Sequence, residues 1–252
     1  MLNATFPLLT AADSLFASLL PAWARILLWG AVAGALAMLI YRLASDQVAI
    51  ARLKALTRNL RRRMLDPELE QPEVGRLVRE NLKASFKLLG RTLLPGLLSA
   101  LPVLLIAVWM DTFYGYAAPA GGEPVRLRTE PQEVSVAVEP AGLLARGGAD
   151  PAVLPPAAGD RLTLVAAGVT AYVGNPFSPP APAITKRRWW NTLLASEVGY
   201  LDPQAGIDEI AFDLPRRRLV GGLPDWIAGW EMPYFLSILV VAAGLKFGLK
   251  IE

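Results

Sequence analysis

The stretch that decides the fold runs from Arg42 to Arg91, RLASDQVAIARLKALTRNLRRRMLDPELEQPEVGRLVRENLKASFKLLGR. Apolar residues recur at Leu53, Leu56, Leu60 and Met64, and again at Val74, Val78, Leu82, Phe86 and Leu89. Spacings of three and four put each set on one helical face, so the stretch reads as two amphipathic helices. Asp66, Pro67 and Pro72 interrupt the pattern, because proline removes a donor and biases the residue before it out of the α region. The turn is therefore expected near residues 65–73. A connection this short makes the helices antiparallel and is expected to bury Leu53, Leu56 and Leu60 against Val78, Leu82 and Leu89. The hairpin, residues 42–92, carries 12 Lys/Arg against 6 Asp/Glu, and the triplet Arg61, Arg62, Arg63 lies near the acidic tip of Asp66, Glu68, Glu70 and Glu73. One reading of the triplet is a solvated face with helix-end charges. The other is a recruitment surface for anionic headgroups, ribosomal RNA or acidic partner segments.

On either side of the hairpin lie apolar runs about one bilayer thick. Residues 22–41, flanked by Trp23 and Tyr41, read as a first transmembrane helix, with aromatic residues placed for the headgroup level. Residues 93–112 read as a second, closed by the aromatic belt of Trp109, Phe113, Tyr114 and Tyr116. Pro95 and Pro102 lie inside it and imply either a simple bend or a packed or water-accessible hollow where the freed carbonyls find partners. Residues 232–249 read as a third, begun by Pro233 in the first turn and ended by Lys246 and Lys250. Residues 1–21 hold no Lys or Arg and read as an interfacial segment whose apolar face is Leu15, Phe16, Leu19 and Leu20. They lack the basic start of a signal peptide. Because the basic hairpin adjoins both first spans, the N-terminus is expected outside and the hairpin and C-terminus in the cytoplasm, in the cell inner (plasma) membrane.

Between the second and third spans, residues 117–229, the composition turns to Pro, Gly and period-two alternation. Val125 and Leu127, then Val134, Val136 and Val138, then Leu162 and Leu164, then Ile210, Phe212 and Leu214 alternate as half-buried strands do. The expectation is an extracytoplasmic (periplasmic) β-rich, sandwich-like domain. Lys186, Arg187, Arg188, Trp189 and Trp190 form a basic and aromatic cluster within it, either an interfacial seat on headgroups or a ligand platform. The fold class expected is thus an α-helical membrane protein: three transmembrane helices, a cytoplasmic helical hairpin and a β-rich domain.

Composition limits the chemistry. With 54% hydrophobic residues and a mean hydropathy of +0.38, the chain is too apolar for a soluble domain. It has no cysteine and no histidine, so disulfides, thiolate chemistry, triad hydrolysis and His-based metal sites are excluded. Asp208 and Glu209 are the nearest thing to an acid pair, but adjacent strand residues point to opposite faces and do not converge. No cofactor, no metal and no enzymatic activity is expected, and no DNA partner.

The order of elements resembles the three-span core of the YidC-like membrane protein insertase superfamily. The resemblance is strongest to its short branch, which includes archaeal homologues and the third subunit of the ER membrane protein complex. It rests on Arg91-Thr92-Leu93-Leu94-Pro95-Gly96-Leu97 with Leu101-Pro102-Val103, and on Gly229 to Ser237 leading to Lys246 and Phe247. It covers roughly residues 20–112 and 226–251. The short branch has only a brief loop where this chain inserts residues 117–229, and the first span's only charge is Arg25, near its outer end. The resemblance implies a membrane protein insertase or chaperone whose spans enclose a hydrophilic groove. Arg25 would sit at the groove's outer end, with Thr92, Ser99 and Ser237 facing it. Expected partners are membrane lipids, nascent or partner membrane proteins and the ribosome. The large insert leaves a second reading open: an assembly or scaffold subunit of a membrane complex that binds its partner through the β domain.

Overall fold

A computed structural model describes residues 2–66, 71–119, 122–145, 151–157, 159–194, 196–222 and 224–249. Pro67, Glu68 and Glu70, on which the expected turn partly rests, and Lys250 lie outside the described residues. The helices are α1 (Phe6–Ala17), α2 (Ala22–Ala44), α3 (Gln47–Arg63) and α4 (Gln71–Tyr114), followed after the β strands begin by α5 (Asn191–Leu194), α6 (Asp225–Ala228) and α7 (Glu231–Gly248). The strands are β1 (Val125–Glu130), β2 (Val136–Glu139), β3 (Leu144–Ala145), β4 (Ala152–Val153), β5 (Leu162–Ala166), β6 (Val169–Gly174), β7 (Ala183–Thr185) and β8 (Glu209–Phe212). Helices α2, α4 and α7 are each long and apolar enough to cross a membrane. The chain divides into two compact units: residues 1–25 with 107–232, and residues 26–106 with 233–252.

In the first unit the β strands form two antiparallel sheets. One has the order β3-β4-β1-β8-β7 and the other β2-β5-β6. The alternation seen in the sequence is the alternation of burial: Val125, Leu127, Val138, Leu162, Leu164, Ile210, Phe212 and Leu214 all enter one core to which both sheets contribute. Phe177 meets Phe212 edge-on there, ring centroids 5.3 Å apart. Strands β5 and β6 pair Ala166 with Val169, leaving the two-residue turn Ala167-Gly168. Both residues have positive φ, 48° and 81°, as a turn matched to the strand twist requires.

The insert is closed at its base. Ala117 donates its N–H to the Pro215 carbonyl at 2.9 Å, and Arg217 donates to the Gly115 carbonyl at 3.0 Å. The segments entering and leaving the β domain thus pair with each other immediately beyond α4.

In the second unit α3 and α4 form the expected hairpin, with different faces inward. Ile50, Thr57 and Leu60 on α3 are buried, as are Leu77 and Ala84 on α4. Leu56, Val78, Leu82 and Leu89, expected inside, are exposed. The correction has a physical reason. The apolar arc of α4 is wider than one partner helix can cover, and the part of it that packs with Leu60 and Met64 of the α3 side is Leu77 and Ala84. Pro72 does not break the hairpin but occupies the first turn of α4, where its missing N–H costs no hydrogen bond. Helix α4 runs unbroken from Gln71 to Tyr114 through Pro95 and Pro102, so the change in polarity between residues 92 and 93 falls within one helix.

Candidate functional site

Polar groups gather in three places, two in the first unit and one in the second.

The first is a buried ionic knot. Helix α1 turns Phe6 and Asp13 inward, while Leu15, and Leu19 just beyond the helix, stay exposed. The helix is therefore amphipathic about a polar anchor as well as an apolar one. Asp13 Oδ2 accepts from Arg25 Nη1 at 2.5 Å and from the Tyr114 hydroxyl at 2.6 Å. Trp109 Nε1 donates to Thr10 Oγ1 at 3.0 Å, and Phe6 lies edge-on to Phe113. The guanidinium groups of Arg25 and Arg217 stand 5.6 and 5.5 Å from the Tyr114 ring centroid. Desolvation strengthens each of these contacts, and each then depends on the others being present. Beside the knot, Arg216 pairs with Glu231 at 2.7 Å and lies over Tyr116. The alternation of Arg216 and Arg217 along an extended segment sends them to different tyrosines. Arg25, expected at the outer end of a groove, is thus engaged with Asp13.

The second is the basic and aromatic loop of the β domain. Asn191, 9% exposed, organises it. Its Oδ1 accepts from the Arg188 N–H at 2.6 Å, its Nδ2 donates to the Lys186 carbonyl at 2.8 Å, and its own carbonyl accepts from the Tyr200 hydroxyl at 2.8 Å. Arg187, Arg188, Trp189 and Trp190 are exposed in consequence, with Arg188 3.8 Å from Asp208. A cavity of about 260 Å³ opens between Trp190, Arg188, Asn191 and the carboxylates of Glu130, Asp208 and Glu209. Glu130 and Glu209 face each other across β1 and β8, a like-charge pair that works against sheet stability. Burial without a hydrogen-bond partner pushes the Tyr172 phenol, elsewhere in this domain, up to about 12.

The third is the seam between α2 and α7. Gly30 and Gly34 let the helices approach closely: a Cβ added at Gly30 would lie 2.6 Å from the Tyr234 carbonyl oxygen, and one at Gly34 3.0 Å from that of Ile238. Small residues four apart are the sequence signature of such a contact. Ser237 Oγ donates to the Leu27 carbonyl at 2.7 Å, and the Tyr234 hydroxyl donates to the Val103 carbonyl of α4 at 2.8 Å. Thr92 returns its hydroxyl to the Leu88 and Leu89 carbonyls, and Ser99 to the Gly96 carbonyl at 2.8 Å, all within α4. Thr92, Ser99 and Ser237 thus each have a backbone acceptor.

At the hairpin, Asp46 caps α3 by accepting from the Ala49 N–H at 3.0 Å, and its other oxygen meets Arg91 at 3.3 Å. Arg61, Arg62 and Arg63 are exposed. Among the described residues no group of three or more acidic side chains is placed to hold a metal ion. The sequence reading placed Tyr114 only in the aromatic belt and gave no role to Asp13, Arg217 or Asn191. Only the run Arg216-Arg217-Arg218 carried a visible signal, and adjacent arginines ordinarily mark a solvated surface. Comparison with known proteins finds no matching family model, no matching curated protein and no matching solved structure.

Proposed function

We propose that this protein is an assembly subunit of a membrane complex. In this reading its spans hold a partner in the plane of the bilayer, and its β domain engages the same partner outside. The observation that carries the reading is the occupation of the intramembrane hydroxyls. Those of Thr92, Ser99 and Ser237 each donate to a backbone carbonyl, and the α2–α7 seam closes on two glycines. A groove insertase needs such groups free for the polar tail of its substrate, because unpaired backbone groups in lipid cost several kcal/mol each. A scaffold needs rigid, close-packed spans.

The resemblance to the YidC-like core is retained as shared order of elements. The insertase reading has one observation in its favour: Pro95 and Pro102 withdraw the donors that would serve the Arg91 and Leu98 carbonyls. Photo-crosslinkers at Ser99 and at the exposed Leu101 separate the two readings. The scaffold reading expects one stable adduct, whereas a ladder of nascent membrane proteins would overturn it and reinstate the insertase. The location proposed is the cell inner membrane with the N-terminus outside and the C-terminus cytoplasmic, on the ground of the basic hairpin beside both first spans. Cysteines at Arg58 and Ser178, both exposed, report this. An impermeant thiol reagent should label only Ser178→Cys in intact cells, and labelling of Arg58→Cys would reverse the topology. Ser45 is unsuited to that test, being buried with its hydroxyl on the Tyr41 carbonyl.

A further inference from the structure

The α3–α4 hairpin leaves one seam unfilled, and the two helices line that seam with different chemistry. The inward positions are Ile50, Leu53, Thr57, Leu60 and Met64 on α3 and Val74, Leu77, Asn81, Ala84 and Leu88 on α4, alternately three and four apart. In an antiparallel pair, the residues that directly follow inward positions on one helix border those that follow them on the other. On α4 these are Val78, Leu82 and Leu89, with Phe86 beside them, exposed by 41, 51, 54 and 70% respectively. On α3 they are Lys54, Arg58, Arg61 and Leu65, and a groove of about 320 Å³ lined by these four with Thr57 and Arg62 runs along the α3 side of the seam. The opposite seam has no such row: α4 presents Arg76, Glu80, Lys83 and Lys87 there.

We infer that this seam is a docking site for one amphipathic helix of a partner protein, its apolar face on Val78, Leu82, Phe86 and Leu89 and an acidic flank along the exposed Arg58 and Arg61. Charge complementarity selects this occupant. A second copy of the hairpin would bring its own basic row against the first, and like charges so placed repel. The lipid surface reaches only one end of this row. At about 1.5 Å per residue Leu89 stands about 6 Å before Leu93, within a headgroup layer of about 7 Å, whereas Leu82 and Val78 stand about 16 and 22 Å away, well beyond it. RNA would use the arginines but leave an exposed apolar row wet. Anchors at spacings of three and four facing a groove are how helices recognise helices. The inference does not depend on whether the spans act as scaffold or insertase.

The test uses the full chain in zwitterionic nanodiscs and three labelled synthetic peptides of about six helical turns. One has a leucine face flanked by glutamates, one the same leucines flanked by lysines, and one the glutamates with serines replacing the leucines. The first should bind at least about tenfold tighter than either other, as two or three new charge pairs allow. Leu82→Ser with Phe86→Ser, both at exposed positions, should lose that preference while leaving the helical circular dichroism unchanged. Arg58→Glu with Arg61→Glu should transfer the preference to the lysine peptide, a reversal that misfolding could not produce. Three results would overturn the inference. Equal binding of the first two peptides would remove the charge selection. Tighter binding of a polyuridine RNA or of anionic vesicles than of any peptide, abolished by the arginine reversal, would assign the groove to phosphate. Self-association of the chain abolished by the serine pair would assign it to a second copy.

Discussion

Replacing Asp13 by alanine should release α1 while leaving the β domain folded. In the wild-type protein one Asp13 oxygen accepts from both Arg25 and Tyr114. The side chains of the ion pair are only 15% and 11% exposed. Removing the carboxylate strands a guanidinium that has little water to turn to, a loss of about 3 kcal/mol at the lower end of the range for broken buried pairs. The abandoned Tyr114 hydroxyl adds about 1 kcal/mol. The apolar contacts of Phe6 remain, so the helix undocks more often rather than permanently. A total of about 4 kcal/mol corresponds to about three decades in the opening equilibrium. Hydrogen exchange of the α1 amides reads that quantity directly, because local opening limits their protection. Asp13→Leu combined with Arg25→Leu should recover most of the protection, since a buried pair exchanged for apolar groups of like volume is often neutral. Protection of α1 within about threefold of wild type in Asp13→Ala, or a double variant as labile as the single one, would refute the reasoning.

Gly30→Ala should destabilise the α2–α7 seam by about 1–3 kcal/mol, because the new methyl meets backbone rather than a movable side chain. Gly90→Ala, with nothing within 4 Å, should instead stabilise α4 by up to about 1 kcal/mol; thermal unfolding in detergent measures both. The β domain should lose stability above pH 10, because the Tyr172 phenol is held up to about 12 when folded and so ionises first in the unfolded chain. This contribution is fully present below about pH 10, the ordinary tyrosine value, and is lost as pH rises toward 12. Tyr172→Phe should flatten that stretch of the pH–stability curve without a penalty at neutral pH, and an unchanged slope would contradict the assignment. Ala167→Asn should raise the midpoint of β-domain unfolding by the equivalent of about 0.5–1 kcal/mol, since φ of 48° suits asparagine better than alanine.

The β domain and the hairpin were legible in the sequence for different reasons, and to different depths. Period-two alternation fixes which side of a strand is buried, so Leu127, Leu164 and Ile210 could be assigned to the core before their strand partners were known. A helix with a wide apolar arc offers no such parity. Val78 and Leu82 are as apolar as Leu77, and the side that packs is chosen by the facing α3. The boundary expected at residue 93 followed a change in polarity, whereas the backbone hydrogen bonds of α4 take no account of it. The ionic knot was hidden by separation along the chain: Asp13 meets Arg25 across 12 residues and Tyr114 across 101. Gly30 and Gly34 were present as two small residues four apart, but their meaning depends on which helix lies opposite.

The paired strap at the base of the β domain makes that domain a cassette. Because Gly115 and Ala117 bond to Arg217 and Pro215, the chain departs and returns at nearly the same point in space. Everything between could be lengthened, exchanged or removed while asking the flanking segments to bridge only the width of a strand pair. Loop-closure cost rises only slowly with the length of what is inserted, so such a gate tolerates very different contents. A protein built this way can change the content of the insert while the helices that precede and follow it keep their sequence, so the two parts of the chain are free to diverge at different rates.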